Sequence, residues 1–197
     1  MEEIFQQVFE KQKSEIGDFD YENKPLIITY LGTPGSGKSQ ISTLLQEKLN
    51  CLVIRSDRTQ LDLEDIRNEK YYKGYIDEKR QYIYWAVEQI HNKAKNQTII
   101  LDKSIDRTYE DTLSLAHKLG YRLVVVIALD CSEEELIKRY HDRHGHHAND
   151  YIKNLERWIK DYENAKKNYK YDLIFNTEEK SLENITNEIE EYINSLQ

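Results

Sequence analysis

The residues with the plainest chemical potential are Gly32, Thr33, Pro34, Gly35, Ser36, Gly37, Lys38 and Ser39, which fill every fixed position of the pattern G-x-x-x-x-G-K-[ST]. Successive backbone N–H groups in such a loop, together with the positive end of the helix that follows, cradle a phosphate as no single side chain does. Lys38 is then placed to reach β- and γ-phosphates, and Ser39 to put its hydroxyl on Mg²⁺. Three of the chain's seven glycines lie in these eight residues, so its most permissive residues sit where the backbone must curl. A chance Gly-rich turn is the competing reading. The apolar run LIITYL before the loop and the amphipathic segment SQISTLLQEKLN after it supply the strand and helix the motif requires, and they argue against chance. ATP, with GTP as the alternative, and Mg²⁺ are the expected ligands.

Two aspartates close apolar runs and therefore point toward the same end of a sheet. Asp102 ends TIILD in the manner of a Walker-B acid that orients Mg²⁺ or its water, and Asp57 ends VIRSD, where a carboxylate can take the proton of an acceptor hydroxyl. Each also has a plain reading as a helix cap. Residues 138–170 hold nine bases against five acids. Arg139 and Arg143, four apart on an expected helix end, can reach one face and stabilise charge spread over a transferring phosphoryl group; a solvated basic helix is the alternative. The histidines at 141, 144, 146 and 147 lack the carboxylate or cysteine pattern of a metal site and read better as charge on a lid below neutral pH. Tyr71, Tyr72, Tyr75, Tyr82, Tyr84 and Trp85 could stack a base or sugar, although such clusters more often pack.

Elements to position these groups are visible in the periodicity. Segments 26–31, 51–56, 98–102, 122–129 and 171–176 are short, apolar and β-branched, as strands covered on both faces should be, and helical patterns separate them. Gly120 stops the helix ending near Leu119, and Ser132 with Glu135 makes a capping box for the next. Residues 151–165 and 185–196 carry further helical stripes. Strict alternation predicts an α/β fold, a parallel sheet with helices on both faces, and a ligand at the carboxyl ends of the strands. A first helix through Ile4, Phe5, Val8 and Phe9 is expected within residues 1–24, an acidic extension set before the core rather than inside it. Residues 25–197 then form the catalytic domain, with a lid near 138–150.

Composition narrows the functions. The chain has 197 residues, 39% hydrophobic and 32% charged, which suits one domain, and its mean hydropathy is −0.82. No apolar run approaches the roughly 18 residues of a spanning helix, so a cytoplasmic protein with no membrane partner is expected. Cys51 and Cys131 fit neither a disulfide framework nor a zinc pattern. The net charge of −8 resides at the ends: residues 1–24 hold seven acids against three bases and residues 177–197 six against one. That disfavours long nucleic acid, leaves a near-neutral middle, and offers the acidic terminal helices as a surface for a protein partner.

With these motifs in order, the chain resembles the P-loop kinases of the polynucleotide 5′-hydroxyl kinase and zeta-toxin-like group, within the nucleoside-monophosphate-kinase-like fold. The resemblance is carried by LGTPGSGKS, by Asp57 in VIRSD, by LDKSIDRTYEDTLSLAHKLGYRLVVVIALD and by ELIKRYHDR, and it covers residues 25–176. It implies a three-layer fold with a five-stranded parallel sheet of order 2-3-1-4-5 and a helical lid, and transfer of a γ-phosphoryl group from ATP with Mg²⁺. It assigns Lys38 and Ser39 to the loop, Asp57 to activating the acceptor, and Arg139 and Arg143 to the lid. Two departures stand out. Gln60 occupies the place where the family carries an arginine for an acceptor's phosphate, which counts against a phosphate-bearing acceptor, and Arg58 is expected to face elsewhere. Asp102-Lys103-Ser104 replaces the family's Asp-x-Asn. The expected activity is phosphorylation of a small-molecule hydroxyl, of nucleoside, sugar or nucleotide-sugar type. A polynucleotide 5′-hydroxyl kinase and a nucleotide-binding regulatory module are the alternatives.

Overall fold

A computed structural model describes residues 1–19 and 24–196. The elements run α1 (Glu2–Ile16), β1 (Leu26–Leu31), α2 (Lys38–Leu49), β2 (Leu52–Arg55), α3 (Ser56–Arg67), α4 (Tyr75–Lys93), β3 (Thr98–Ser104), α5 (Tyr109–Leu119), β4 (Arg122–Asp130), α6 (Glu133–His144), a 3₁₀ turn (Gly145–His147), α7 (Ala148–Ile152), α8 (Leu155–Asn168), β5 (Leu173–Asn176) and α9 (Leu182–Ser195). All strand pairs are parallel, in the order β2-β3-β1-β4-β5. Every residue of β1 is buried, as a central strand covered on both faces must be.

The two-residue period of the strands sorts the core into faces. Leu26, Ile28 and Tyr30 of β1 join Ile41 and Leu45 of α2 and Ile185, Ile189 and Ile193 of α9 on one side. Ile27 joins Leu52, Ile54, Ile99 and Leu101 under α1, α3, α4 and α5 on the other. A separate cluster of Leu136, Tyr140, Ala148 and Leu155 holds α6, α7 and α8 together. The single stripe expected over 151–165 is thus divided between α7 and α8. Gly120 (φ 73) ends α5, and Ser132 Oγ accepts the Glu135 amide at 3.2 Å to open α6.

The first helix forms, and its position corrects the sequence expectation. Val8 and Phe9 are fully buried, and Phe5 and Phe9 pack edge-on against Tyr82 and Trp85 of α4 at ring-centre distances of 5.6 and 5.8 Å. Buried Gln12 accepts from the Tyr82 hydroxyl at 3.1 Å and donates to Asp62 of α3 at 2.8 Å. The apolar stripe needs a partner, and α3 and α4 supply it; the acids Glu2, Glu3 and Glu10 stay outside. Tyr82 and Trp85, two of the six residues of the aromatic cluster, are accounted for by this packing. Arg58, expected to face elsewhere than the acceptor position, meets Asp62 of its own helix at 3.1 Å and Glu15 of α1 at 3.5 Å. Among the described residues no helix is long and apolar enough to cross a membrane.

Candidate active site

The loop between β1 and α2 is shaped by its glycines. Gly35 and Gly37 have φ of 84 and 105, a left-handed backbone that only glycine adopts freely. At Gly35 a Cβ would also lie 3.1 Å from the Tyr140 ring, so α6 rests directly on the loop. The Tyr140 hydroxyl donates to the Pro34 carbonyl at 2.6 Å, and the Ser36 hydroxyl closes the turn onto the Thr33 carbonyl at 2.7 Å. α2 starts at Lys38 without a side-chain cap, which leaves its N-terminal amides for a ligand.

Lys38 Nζ folds into the loop and donates to the carbonyls of Gly32 (3.0 Å) and Thr33 (2.6 Å) and to Ser36 Oγ (3.3 Å). Burial brings its pKa down to about 8, while the carboxylates of Asp102, Asp106 and Asp57 pull the other way. The Ser39 hydroxyl donates to Asp102 Oδ1 at 3.2 Å. Asp102 is only 8% exposed, and burial raises its pKa against the Ser39 bond and the charges of Lys38 and Arg55. A hydroxyl and a carboxylate oxygen side by side at the mouth of the loop are hard oxygen donors of the kind Mg²⁺ takes.

Asp102 owes its place to an irregularity that no propensity announces. The β1–β3 register slips between Ile28 and Tyr30, so that Ile28 faces Ile100 but Tyr30 faces Ser104. The Thr29 hydroxyl lies 3.3 Å from both the Leu101 and Lys103 carbonyls that the slip releases. Such a bulge re-aims side chains at a strand end. It carries β3 on to Ser104, whose Oγ accepts the Gly32 amide at 3.3 Å and ties β3 to the loop.

Asp57 sits in the first turn of α3 rather than in a loop after β2, because Arg55 leads straight into the helix. It is exposed, and no described residue hydrogen-bonds to it, in contrast with a capping role. Its charge is nonetheless felt by Lys38, Lys79 and Asp102, which places it beside the loop's open end.

Arg139 and Arg143, expected to share one face, separate. Arg139 Nη1 reaches the Gly35 carbonyl (3.4 Å) and Thr177 Oγ1 (3.1 Å), Nη2 reaches the Thr177 carbonyl (3.1 Å), and Nε pairs with Glu135 (2.9 Å). That makes Arg139 a clamp between the back of the loop and the end of β5. Arg143, one turn on, is exposed without a partner among the described residues. Neither is hydrogen-bonded to Lys38, Asp57 or Asp102, so the shared face expected from their spacing is not used in this conformation. The histidines at 141, 146 and 147 are exposed, and His144 stacks on Tyr151 at 4.0 Å.

Several contributors escaped the sequence reading. Tyr140 and Thr177 act through contacts formed only when α6 and β5 are folded. Lys79 looked like any charged helix residue, yet its Nζ donates to Gln60 Oε1 at 3.2 Å, and Gln60 in turn donates to Glu64 at 3.0 Å. Beside the loop, a cavity of about 340 Å³ is lined by Thr33, Asp130, Ser132, Lys166 and Glu178, among others. A groove of about 620 Å³ between α1 and the end of α3 includes none of the loop residues.

The fold matches solved structures at low identity. A gluconokinase from Sinorhizobium meliloti 1021 aligns with TM-score 0.56 and 18% identity over 88% of this chain and 99% of its own. A shikimate kinase from Bacteroides thetaiotaomicron gives 0.52 and 15% over 86% and 98%. The YorR protein of Bacillus subtilis, in complex with phosphorylated GDP, gives 0.56 and 14% over 85% and 95%. No curated protein matches by sequence. The AAA domain model matches residues 28–168, from the middle of β1 through the glycine-rich loop, the Asp102 strand and α6 to the end of α8. That span is well over half of the chain, and the protein belongs to the AAA domain family.

Proposed function

We propose that the protein is an ATP- and Mg²⁺-dependent kinase that transfers the γ-phosphoryl group to a hydroxyl of a small acceptor. The observation that carries this reading is the pairing of two unlike carboxylates at one loop. Asp102 is buried on Ser39, whereas Asp57 is exposed, unpartnered and within electrostatic reach of Lys38. Ser39 and Asp102 fit Mg²⁺, which when bound neutralises charge on the β- and γ-phosphates. The loop amides and Lys38 hold the phosphates. Lys38 exchanges its carbonyl partners for phosphate oxygens and regains a full counter-charge.

Asp57 accepts the acceptor's hydroxyl proton as the new O–P bond forms and the bond from the γ-phosphorus to the bridging oxygen of ADP breaks. Arg139, clamped between Gly35 and Thr177, keeps the lid seated on the loop. Arg143 is free to swing inward on closure. The narrower kinship with polynucleotide 5′-hydroxyl kinases and zeta toxins rests on the loop and Asp57 together with LDKSIDRTYEDTLSLAHKLGYRLVVVIALD and ELIKRYHDR.

The test is transfer from labelled ATP to a pooled library of hydroxyl compounds, with wild-type protein and Asp57→Asn. Transfer that falls at least a hundredfold in Asp57→Asn with ATP affinity retained supports the reading. Full transfer in that variant removes Asp57 from the role, and tight ATP binding with no transfer to any acceptor points instead to a regulatory nucleotide-binding module. Transfer confined to 5′-ends of single strands, with binding that weakens steeply in salt, selects the polynucleotide version.

A further inference from the structure

Lys79 and Lys103 play no part in the loop, in the Ser39–Asp102 contact or at Asp57, yet they bring two ammonium groups to one side of the site. Lys79 projects from the start of α4 and is held by Gln60 at 3.2 Å; Lys103 follows Asp102 in β3, with Nζ 5.4 Å from the centre of the Tyr84 ring. Both are half-buried, and among the described residues neither forms a salt bridge. Four carboxylates act on them from beyond contact: Asp57 and Glu64 on Lys79, Asp106 and Asp111 on Lys103. Glu64 is already engaged by Gln60 and the Tyr71 amide, and Asp111 lies 4.0 Å from Arg80.

Like charges gathered in half-buried surroundings repel, and burial penalises each. Arg80, whose charge also acts on Lys103, adds to the repulsion. An anion entering between them relieves both costs and gains charge-assisted hydrogen bonds. The nucleotide's phosphates have partners of their own in the loop amides and Lys38, whose hydrogen bonds run to loop atoms, whereas Lys79 and Lys103 rest on Gln60 and Tyr84.

We infer that the acceptor itself carries an anionic group, a carboxylate or a phosphate, held by Lys79 and Lys103 while its hydroxyl faces Asp57. This rests on the kinase reading above. Gln60 lies three residues after Asp57, one turn of α3, so the residue that fixes the Lys79 ammonium is about 5 Å along the helix from the base. A hydroxyl and an anionic group a few carbon atoms apart bridge that interval. Gln60, whose identity counted against a phosphate-bearing acceptor, positions a cation supplied by α4 instead of supplying one.

The experiment compares three acceptors of matched carbon skeleton, a neutral sugar, its sugar acid and its monophosphate, in wild type, Lys79→Gln, Lys103→Gln and Lys79→Arg. Transfer is measured with ATP, and binding of each compound is measured calorimetrically with the loop filled by a non-hydrolysable Mg²⁺–ATP analogue. The expected result is binding and transfer for the sugar acid or the monophosphate, the better of the two identifying the anion. KM and Kd for it should rise about tenfold to a hundredfold in each glutamine variant, with partial recovery in Lys79→Arg and analogue affinity unchanged. A neutral sugar used as well as its charged counterparts overturns the inference, as does failure of both anions to bind wild type or anion binding indifferent to either glutamine substitution. Lysine-dependent anion binding with no transfer to any of the three upholds the anion site and counts against the kinase reading alone.

Discussion

The two halves of the site are built in opposite ways. The nucleotide half is mainly backbone: a loop of eight consecutive residues, glycines at positive φ, a helix start, and one lysine turned onto its own carbonyls. The half proposed for the acceptor is all side chains, Asp57 and Gln60 from α3, Lys79 from α4 and Lys103 from β3. Backbone recognition demands particular residues at fixed spacing, whereas side-chain recognition only needs elements brought together. One half is therefore rigidly specified, and the other can change substrate by exchanging single residues.

The largest separation between the halves comes from two substitutions. Asp57→Asn should reduce kcat by about a hundredfold to ten-thousandfold, the usual worth of a general base, and leave ATP affinity within twofold. Lys38→Ala should abolish measurable ATP binding. Equal loss of ATP binding in both would mean that the halves are not separable. Next in size is Phe9→Ala, expected to lower unfolding stability by about 3–5 kcal/mol in a denaturant titration, because Phe9 is fully buried beneath Trp85. If α1 were an appendage, the loss would stay under about 1 kcal/mol, as for ordinary surface positions.

Gly35→Ala probes the backbone half. The new Cβ meets the Tyr140 ring at 3.1 Å at a residue with φ of 84, whereas Gly120→Ala, at φ of 73, meets nothing within 4 Å. Both incur the left-handed strain, roughly 1–2 kcal/mol, but Gly35→Ala should also unseat the lid and weaken ATP binding about tenfold. Equal ATP affinity in the two variants would show that the Tyr140 contact does not shape the loop.

The same contrast explains what the sequence discloses. The strand and helix alternation is legible because doubly covered strands are continuous apolar runs, and LIITYL is buried along its whole length. The loop is legible because its glycines and Lys38 are consecutive. The packing of α1 was not, since an amphipathic stripe says that a partner exists but not where. Arg139 and Arg143 share a helix and a spacing, yet Thr177 and Gly35 capture only the first. Lys79 and Gln60 lie 19 positions apart and meet only through the packing of α3 against α4.

The smallest effect expected is a pH dependence confined to the nucleotide half. Lys38 in the free protein has a pKa of about 8, lowered by burial from 10.5 in spite of Asp102, Asp106 and Asp57. It is charged below that value and neutral above it. Phosphate oxygens favour the ammonium form, so the bound state keeps the proton to higher pH, and above about 8 binding must take one up. The dissociation constant for the ATP analogue should be flat between about 7 and 7.5, above the phosphate's own titration near 6, and then rise by up to tenfold per pH unit. Calorimetry in two buffers of different ionisation enthalpy reads the uptake directly, near zero at pH 7 and approaching one proton above pH 9. Lys103, lowered to a similar value by burial, tests the separation. Lys103→Gln should leave this proton uptake intact, because its charge serves the acceptor; uptake that vanished in Lys103→Gln would join the two halves into a single electrostatic unit.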